Sequence, residues 1–76
     1  MKKHILKIEQ EYMTAKMLGL KLFEIRKNDR GFEVGDTVVY IDPETMDAYD
    51  GLYIITYITD YAQAEDYIVF GDKKIS

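Results

Sequence analysis

The sequence predicts a mainly β fold with one helix, an α+β domain arranged as a small, partly open barrel of about five strands. Three observations support this class. Apolar residues recur at helical spacing only near the N-terminus, the other apolar segments are short and rich in Ile, Val and Tyr, and turn residues separate those segments. The chain has 76 residues, enough for one hydrophobic core, so we expect a single domain over residues 1–76.

The N-terminal third is predicted to contain a strand, the helix and a second strand. The strands cover residues 4–8 and 20–27, and the helix covers residues 9–18. The apolar side of the helix carries Tyr12, Ala15 and Gly19, with Met13, Met17 and Leu20 adjacent. Lys16 lies in the last helical turn, where the helix dipole favours a cation. Gly19 is expected to supply the left-handed residue that ends the helix.

The second predicted strand places charged residues among apolar ones. Alternation puts Phe23 and Ile25 on one face, and Leu22, Glu24 and Arg26 on the other. Because Glu24 and Arg26 are two residues apart, the guanidinium can fold back onto the carboxylate. An exposed pair of this kind contributes only ~0–1 kcal/mol, and a buried pair needs further hydrogen bonds to offset its desolvation cost. The pattern therefore favours a functional site, with a structural ion pair as the alternative.

Turn residues divide the rest of the chain into three further strands. The predicted turns lie at residues 28–31, 34–36, 42–45 and 50–51. The predicted strands lie at residues 37–41, 52–60 and 67–70. The longest has apolar residues on both faces, Tyr53, Ile55 and Tyr57 on one and Leu52, Ile54 and Ile58 on the other. We therefore expect this strand to be covered on both faces, with Tyr53 and Tyr57 in the core. Tyr67, in the apolar last strand, is also expected in the core.

Three polar residues are expected to have structural roles. Asn28 should supply an unusual backbone conformation in the first turn, together with Gly31. Asp36 follows Gly35 and should fix that corner by bonding its own backbone. His4 is the only histidine, and the chain has no cysteine, so we expect neither a metal site nor a disulfide.

The net charge of −4 conceals an uneven distribution. Residues 1–30 carry a balance of +4, and residues 31–76 carry a balance of −8. A local basic face can bind phosphate in a salt-sensitive manner, although a scatter of solvated charges explains the asymmetry equally well. No apolar run suits a signal peptide or a membrane span, so we expect a cytoplasmic protein that needs no cofactor.

A spaced motif gives the sequence its clearest resemblance. Gly19, Lys21, Glu24 and Arg26 fit the pattern Gly-x-Lys-x-x-Glu-x-Arg. This pattern is similar to that of ASCH (activating signal cointegrator homology) domains, which are relatives of the RNA-binding PUA fold. A branch of short ASCH-like domains of uncharacterised function, common in phage and mobile-element genomes, extends the resemblance through His4, Leu6, Lys7, Glu24 to Asp36, Tyr49 and Gly51. That branch usually has Arg where Leu52 stands, so a basic contributor to its cleft is absent here.

The resemblance implies a PUA-like pseudo-barrel with a cleft between helix and sheet that binds RNA or a modified nucleotide. The candidate ligand-binding residues are Lys21, Glu24, Arg26, Lys27 and Arg30. Arg26 can present its planar fork to a phosphate or a base edge, with Glu24 orienting it. Lys21 follows a helix C-terminus, which favours the charged ammonium over a general base. Lys27 and Arg30 flank a turn and can clamp a phosphate.

Aromatic residues near strand ends are candidates for stacking on bases. The best placed are Tyr40 and Tyr49, with Tyr61 as a further candidate in a loop. Two other functions stay open. A small nucleoside amidohydrolase or ribonuclease would use Lys21 and Glu24 as its acid/base pair, although some ASCH hydrolases have a Thr where Glu24 stands. An acidic protein-interaction module would instead bind a protein partner through the acids of residues 42–66.

Overall fold

The computed structural model describes all residues, 1–76, and contains one helix and five strands. In chain order these are β1 (Lys3–Lys7), α1 (Gln10–Met17), β2 (Phe23–Lys27), β3 (Thr37–Ile41), β4 (Tyr53–Thr59) and β5 (Tyr67–Lys74). The strands form one sheet, in the order β1-β3-β4-β5-β2, which curls into a half-barrel. The predicted α+β class, with about five strands and one N-terminal helix, is therefore confirmed. The helix is not long and apolar enough to cross a membrane.

The sheet has two edge strands that come from the N-terminal part of the chain. β1 pairs in parallel with β3, and all other neighbours pair antiparallel. β1 and β2 each have one unpaired edge. The basic residues of the predicted motif therefore lie at the opening of the half-barrel, where β2 and the end of β1 face the helix.

One hydrophobic core fills the concave side of the sheet. Its buried members are Leu6, Ile8, Met13, Phe32, Val38, Tyr40, Tyr53, Ile55, Ile68 and Phe70, with Tyr49 and Ile58 packed against them. A β-bulge between Ile55 and Tyr57 changes which face of β4 points inward. As a result Tyr57 is 65% exposed, while Ile58 contacts the core. The prediction that Tyr57 lies in the core was wrong for this reason.

The other expectation for a core tyrosine in a late strand also fails. Tyr67 begins β5 and is exposed, because the inward positions of that strand are Ile68, Phe70 and Asp72. β5 also runs four residues further than predicted, to Lys74. This extension brings Asp72 into the interior. Tyr53 is buried as predicted.

The helix buries a different face from the one predicted. Its buried residues are Met13 and Lys16, whereas Tyr12 and Met17 are about half exposed. The Lys16 side chain points into the interior because its ammonium group forms ion pairs with two buried carboxylates of the sheet, as described below. The apolar spacing alone cannot show this, since it counts lysine as a surface residue.

A Schellman motif ends the helix and delays the start of β2. The N–H of Leu20 donates to the carbonyl of Ala15, and the N–H of Gly19 donates to that of Lys16. Gly19 has φ +76°, the left-handed conformation predicted for it. Because these bonds hold residues 19–21 against the helix, β2 begins at Phe23 rather than at Leu20. The next turn differs too: Gly31 has positive φ but Asn28 does not, and the Asn28 side chain accepts a hydrogen bond from the N–H of Phe32.

Candidate functional site

A buried ionic cluster lies beneath the opening of the half-barrel. It consists of Lys16 from the helix, Glu24 from β2 and Asp72 from β5. The Lys16 Nζ is 2.7 Å from Asp72 Oδ1 and 3.1 Å from Glu24 Oε2. Its side chain is 2% exposed. Tyr40 donates its hydroxyl hydrogen to Asp72 Oδ2, and the Lys16 ammonium also lies over the Tyr40 and Tyr53 rings.

Glu24 connects this cluster to the two cations of the predicted motif. Lys21 Nζ donates to Glu24 Oε2 at 2.6 Å, and Arg26 Nη2 donates to Glu24 Oε1 at 3.2 Å. The predicted contact between Glu24 and Arg26 is therefore confirmed. Burial by itself would raise the pKa of Glu24, but the Lys21 hydrogen bond and the Lys16 charge lower it below its usual value. The carboxylate is consequently ionised at neutral pH and holds three cations.

Two arginines bridge the gap between the edge strands. Arg26 Nη2 donates to the carbonyl of Lys7 at 2.9 Å, and Arg30 Nη1 donates to the carbonyl of Ile5 at 2.8 Å. Both carbonyls belong to β1, while Arg26 lies on β2 and Arg30 lies in the turn that follows it. Guanidinium groups therefore hold the two edges together where no backbone ladder closes the barrel. They give both arginines a structural role that the sequence does not reveal.

The main cleft is a cavity of about 480 Å³ at this opening. Its lining includes the end of β1, the start of the helix and most of β2, with Lys21, Glu24 and Arg26 among the lining residues. Two aromatic residues, Tyr12 and Phe23, also line it and are 50% and 48% exposed. The cleft thus combines charged groups with exposed aromatic rings.

A second, smaller cavity adjoins the main cleft at Arg26. This turn cavity has a volume of about 180 Å³ and is lined by Arg26, Lys27 and Arg30, together with Leu6, Asp29 and Phe32. The structure therefore brings all five predicted ligand-binding residues to two neighbouring cavities. Lys27 and Arg30 are exposed and do not reach Glu24, so they form a separate part of the candidate site.

The alternation predicted for β2 is present, with its charged face turned inward. Glu24 is buried and Arg26 is partly buried, whereas Phe23 and Ile25 are about half exposed. An apolar face exposed beside a buried carboxylate is the reverse of ordinary strand burial. The inward turn is accommodated because every buried side-chain nitrogen and oxygen has a hydrogen-bond partner.

The predicted stacking tyrosines do not line the main cleft. Tyr40 is fully buried, and its hydroxyl is bonded to Asp72, so the prediction that it stacks on a base was wrong. Burial and the Asp72 charge raise the pKa of Tyr40 well above its usual value, which keeps it a donor. Tyr49 is half-buried against the core, with its hydroxyl 3.3 Å from Asp42. Tyr12 and Phe23 hold the exposed aromatic positions instead.

The sequence predictions include neither Lys16 nor Asp72 among the site residues. The predicted role of Lys16 is to interact with the helix dipole, and Asp72 lies beyond the predicted end of the last strand. A signal for Asp72 exists, because Ile68, Phe70 and Asp72 continue one alternation and so share a face of β5. No comparable signal identifies Lys16, whose inward position depends on carboxylates far away in the chain.

A second buried pair lies at the other end of β1. His4 Nε2 is 2.8 Å from Asp36 Oδ2, and the same carboxylate accepts the N–H groups of Lys2 and Glu33. Asp36 therefore fixes the corner before β3, as predicted. Although burial acts to raise it, these hydrogen bonds hold the pKa of Asp36 at about 2. No group of three or more His, Cys, Asp or Glu side chains is placed to hold a metal ion.

A family model described as a domain of unknown function (DUF3850) matches residues 3–71. The chain belongs to this family. The match covers the helix, the predicted motif and all five strands except the last three residues of β5. No curated protein matches the chain. Because the description of DUF3850 names no ligand and no activity, the resemblance to ASCH domains stays a prediction.

The matched region of this DUF3850 chain contains most of the candidate site but not all of it. Lys16, Glu24 and Arg26 lie within residues 3–71, whereas Asp72 follows them. The site is therefore built from both ends of the chain, with β5 bringing its last residues beside the motif. Chemically, it offers fixed cations, a carboxylate with a lowered pKa and exposed aromatic rings.

Proposed function

We propose that the protein binds RNA or a modified nucleotide, with one nucleotide unit held in the main cleft. In this proposal the half-barrel is of the PUA-like, ASCH type that the motif predicts. The observation that carries the proposal is the position of Arg26, which lines both the main cleft and the turn cavity. One guanidinium can thus contact a nucleotide in the cleft and a neighbouring phosphate in the turn cavity.

The cleft has dimensions and chemistry that suit a nucleotide. Its volume of about 480 Å³ lies within the range of ~300–1,000 Å³ typical of small-molecule sites. The Tyr12 and Phe23 rings at its walls can stack on a base, an interaction worth ~1–3 kcal/mol. The Glu24 carboxylate can accept a hydrogen bond from a base amino group. A nucleotide therefore finds a partner for its base and for its phosphate.

Enough donors remain free to bind an anion. Arg26 has five N–H groups, and its bonds to Glu24 and Lys7 use two of them. Arg30 uses one, in its bond to the Ile5 carbonyl. The Lys27 side chain is exposed and makes no hydrogen bond or ion pair within the protein. The structural bonds hold the guanidinium groups in place, and their unused donors can bind a phosphate without a rearrangement of the barrel.

The state of Glu24 argues against the enzyme alternative. A general acid at neutral pH needs a raised pKa, whereas the pKa of Glu24 is lowered. A carboxylate bonded to Lys16, Lys21 and Arg26 is also a weak base. The acid/base role considered for Lys21 and Glu24 therefore gains no support from the geometry.

A specific observation favours the acidic interaction module as a second candidate. A cavity of about 400 Å³ is lined by Asp60, Glu65 and Asp66, among others. Such a surface suits a basic partner protein. If this candidate is correct, reversing these charges abolishes function and changes in the main cleft do not.

Fluorescence anisotropy with labelled single-stranded RNA tests the proposed function. We expect saturable binding that weakens as salt rises, because phosphate contacts release counterions. Arg26→Gln should weaken it, whereas Lys3→Gln removes an exposed charge outside both cavities and serves as the control. Thermal unfolding checks that both variants are folded. Binding that is independent of salt, or equal losses in both variants, would contradict the proposal.

An aromatic pair provides an independent check. Phe23→Leu should reduce affinity by the loss of stacking, about fivefold to one hundredfold. Tyr57→Leu is the matched control, because this ring is exposed on the neighbouring part of the sheet and lies outside the cleft. Equal RNA affinities of Phe23→Leu and wild type would show that no base stacks on Phe23 in the main cleft.

A further inference from the structure

We infer that a single nucleic-acid strand follows a basic track of three adjoining cavities, with the main cleft in the middle. The inference rests on the proposed function and extends it from one nucleotide to a strand. The third cavity, here named the lysine cavity, has a volume of about 460 Å³. It is lined by Lys16, Lys21, Asp72, Lys73 and Lys74, together with Tyr53 and residues around the helix end.

Neighbouring cavities share a cation at each junction. Lys21 lines both the lysine cavity and the main cleft. Arg26 lines both the main cleft and the turn cavity. A polymer with regularly spaced phosphates can therefore pass from the lysine cavity to the turn cavity and meet a positive side chain at every step. A mononucleotide would occupy only the middle of this track.

The lysine cavity supplies two cations that the protein itself hardly uses. Lys73 is exposed and makes no ion pair or side-chain hydrogen bond. Lys74 has only a 3.9 Å contact with Asp50, and both groups are exposed, so this contact contributes little. By contrast, Lys16 is consumed by the buried ionic cluster. The cations available to a strand are Lys73, Lys74, Lys21, Arg26, Lys27 and Arg30.

The distribution of charge along the chain supports the same path. After Arg30 the sequence contains only two basic residues, Lys73 and Lys74, against ten acids. Both of these lysines line the lysine cavity. The sheet thus places the two late cations beside the early basic motif. Of the acids of residues 42–66, none lines the three cavities, and Asp50 makes the exposed contact with Lys74 described above. A polyanion would be repelled by the acidic surface and confined to the track.

The strand length distinguishes this inference from single-nucleotide binding. Anisotropy titrations of labelled di- and hexauridylate would compare wild type with Lys73→Gln/Lys74→Gln. We expect the double variant to weaken hexamer binding and leave dimer binding unchanged. Because each phosphate contact on a single strand contributes ~0.7 to the log–log salt slope, the hexamer slope should become shallower by about 1.4. Lys3→Glu changes the net charge by the same amount outside the track and should leave the slope within about 0.3 of wild type.

Each outcome of the experiment has a definite meaning. A slope change restricted to the hexamer and to the double variant supports the track. Hexamer binding that the double variant and Lys3→Glu weaken equally overturns the track and leaves the proposed function standing. Equal affinities of wild type for the dimer and the hexamer would also overturn the track and leave the proposed function standing. Absence of any binding at low salt overturns both proposals together.

Discussion

Removal of the Lys16 ammonium group should destabilise the protein strongly. In Lys16→Met the volume and the packing on the aromatic rings are largely kept, but the cation is lost. Glu24 retains Lys21 and Arg26 as partners, whereas Asp72 retains only the Tyr40 hydroxyl. Loss of one partner of a buried ion pair costs ~3–5 kcal/mol. A chain of 76 residues has a total stability of only about 4–11 kcal/mol at ~0.05–0.15 kcal/mol per residue.

The second half of this prediction concerns a double variant. Lys16→Met/Asp72→Leu removes both charges and leaves apolar groups of similar size, a replacement that is often neutral for a buried pair. Because Asp72→Leu also leaves the buried Tyr40 hydroxyl without its acceptor, we expect the double variant to recover part, and not all, of the stability that Lys16→Met loses. Wild type, the two single variants Lys16→Met and Asp72→Leu, and the double variant form a double-mutant cycle. The interaction energy between the two positions in this cycle should be at least about 1.5 kcal/mol, within the range found for directly bonded residues.

Urea unfolding followed by circular dichroism measures these free energies. Lys16→Met should lose ~3 kcal/mol or more, which corresponds to a fall in Tm of roughly 12–24 °C for a domain of this size. Tyr57→Leu, on the exposed face of the sheet, is the control. A loss below about 1 kcal/mol in Lys16→Met, or a double variant no more stable than it, would refute the assignment of Asp72 as the unpaired charge.

Two further predictions concern the hydrogen bonds around buried carboxylates. The pKa of Asp36 is about 2 in the folded state and ~3.9 when unfolded. Its contribution to stability is therefore present above pH ~4 and is lost as the pH falls towards 2. Urea unfolding between pH 2 and 5 should show this loss of stability in wild type and a smaller loss in Asp36→Asn. Tyr40→Phe leaves one oxygen of Asp72 without its hydrogen-bond donor, so we expect it to lower the free energy of unfolding in urea by ~1.5–3 kcal/mol. The control Tyr57→Phe, at an exposed position, should lose less than ~0.5 kcal/mol. Equal losses in the two variants would show that the hydrogen bond to Asp72 contributes nothing to stability.

The fold could be predicted to the level of its elements because local chemistry determines them. The helix stop at Gly19, the strand over residues 37–41 and the corner at Asp36 all depend on neighbours in the sequence, and the structure confirms them. The predictions failed where distant residues decide the outcome. Lys16 turns inward because β2 and β5 present carboxylates to it, and Tyr57 turns outward because a bulge shifts the register of β4.

The candidate site divides in the same way. Strand alternation predicted that Glu24 and Arg26 share a face, and they do. Lys21 precedes β2 and reaches Glu24 from the segment that follows the helix, as its place in the motif implied. The partners that hold them could not be predicted. Lys16, the buried partner of Glu24, turns inward only because distant strands carry carboxylates, and the carbonyls that Arg26 and Arg30 bind are backbone groups. Backbone groups leave no mark in the sequence.

The stability of the fold does not account for the charged residues of the ionic cluster. Apolar residues in place of Lys16, Glu24 and Asp72 would give a similar or greater stability, so stability alone does not explain them. Their arrangement does have a consequence at the surface. Lys16 fixes Glu24, and Glu24 fixes the head groups of Lys21 and Arg26 at the junctions of the three cavities.

A lysine or an arginine that is free in solvent loses ~2 kcal/mol of rotamer entropy when a ligand immobilises it. Lys21 and Arg26 are already held by Glu24 before any ligand arrives, so that cost is met during folding. The cluster therefore exchanges fold stability for preorganised cations. Under the proposed function, Lys16→Met/Asp72→Leu should therefore bind RNA less tightly than wild type in the anisotropy titration. Glu24 would lose the buried cation that fixes it, and the two head groups would regain their rotamer freedom.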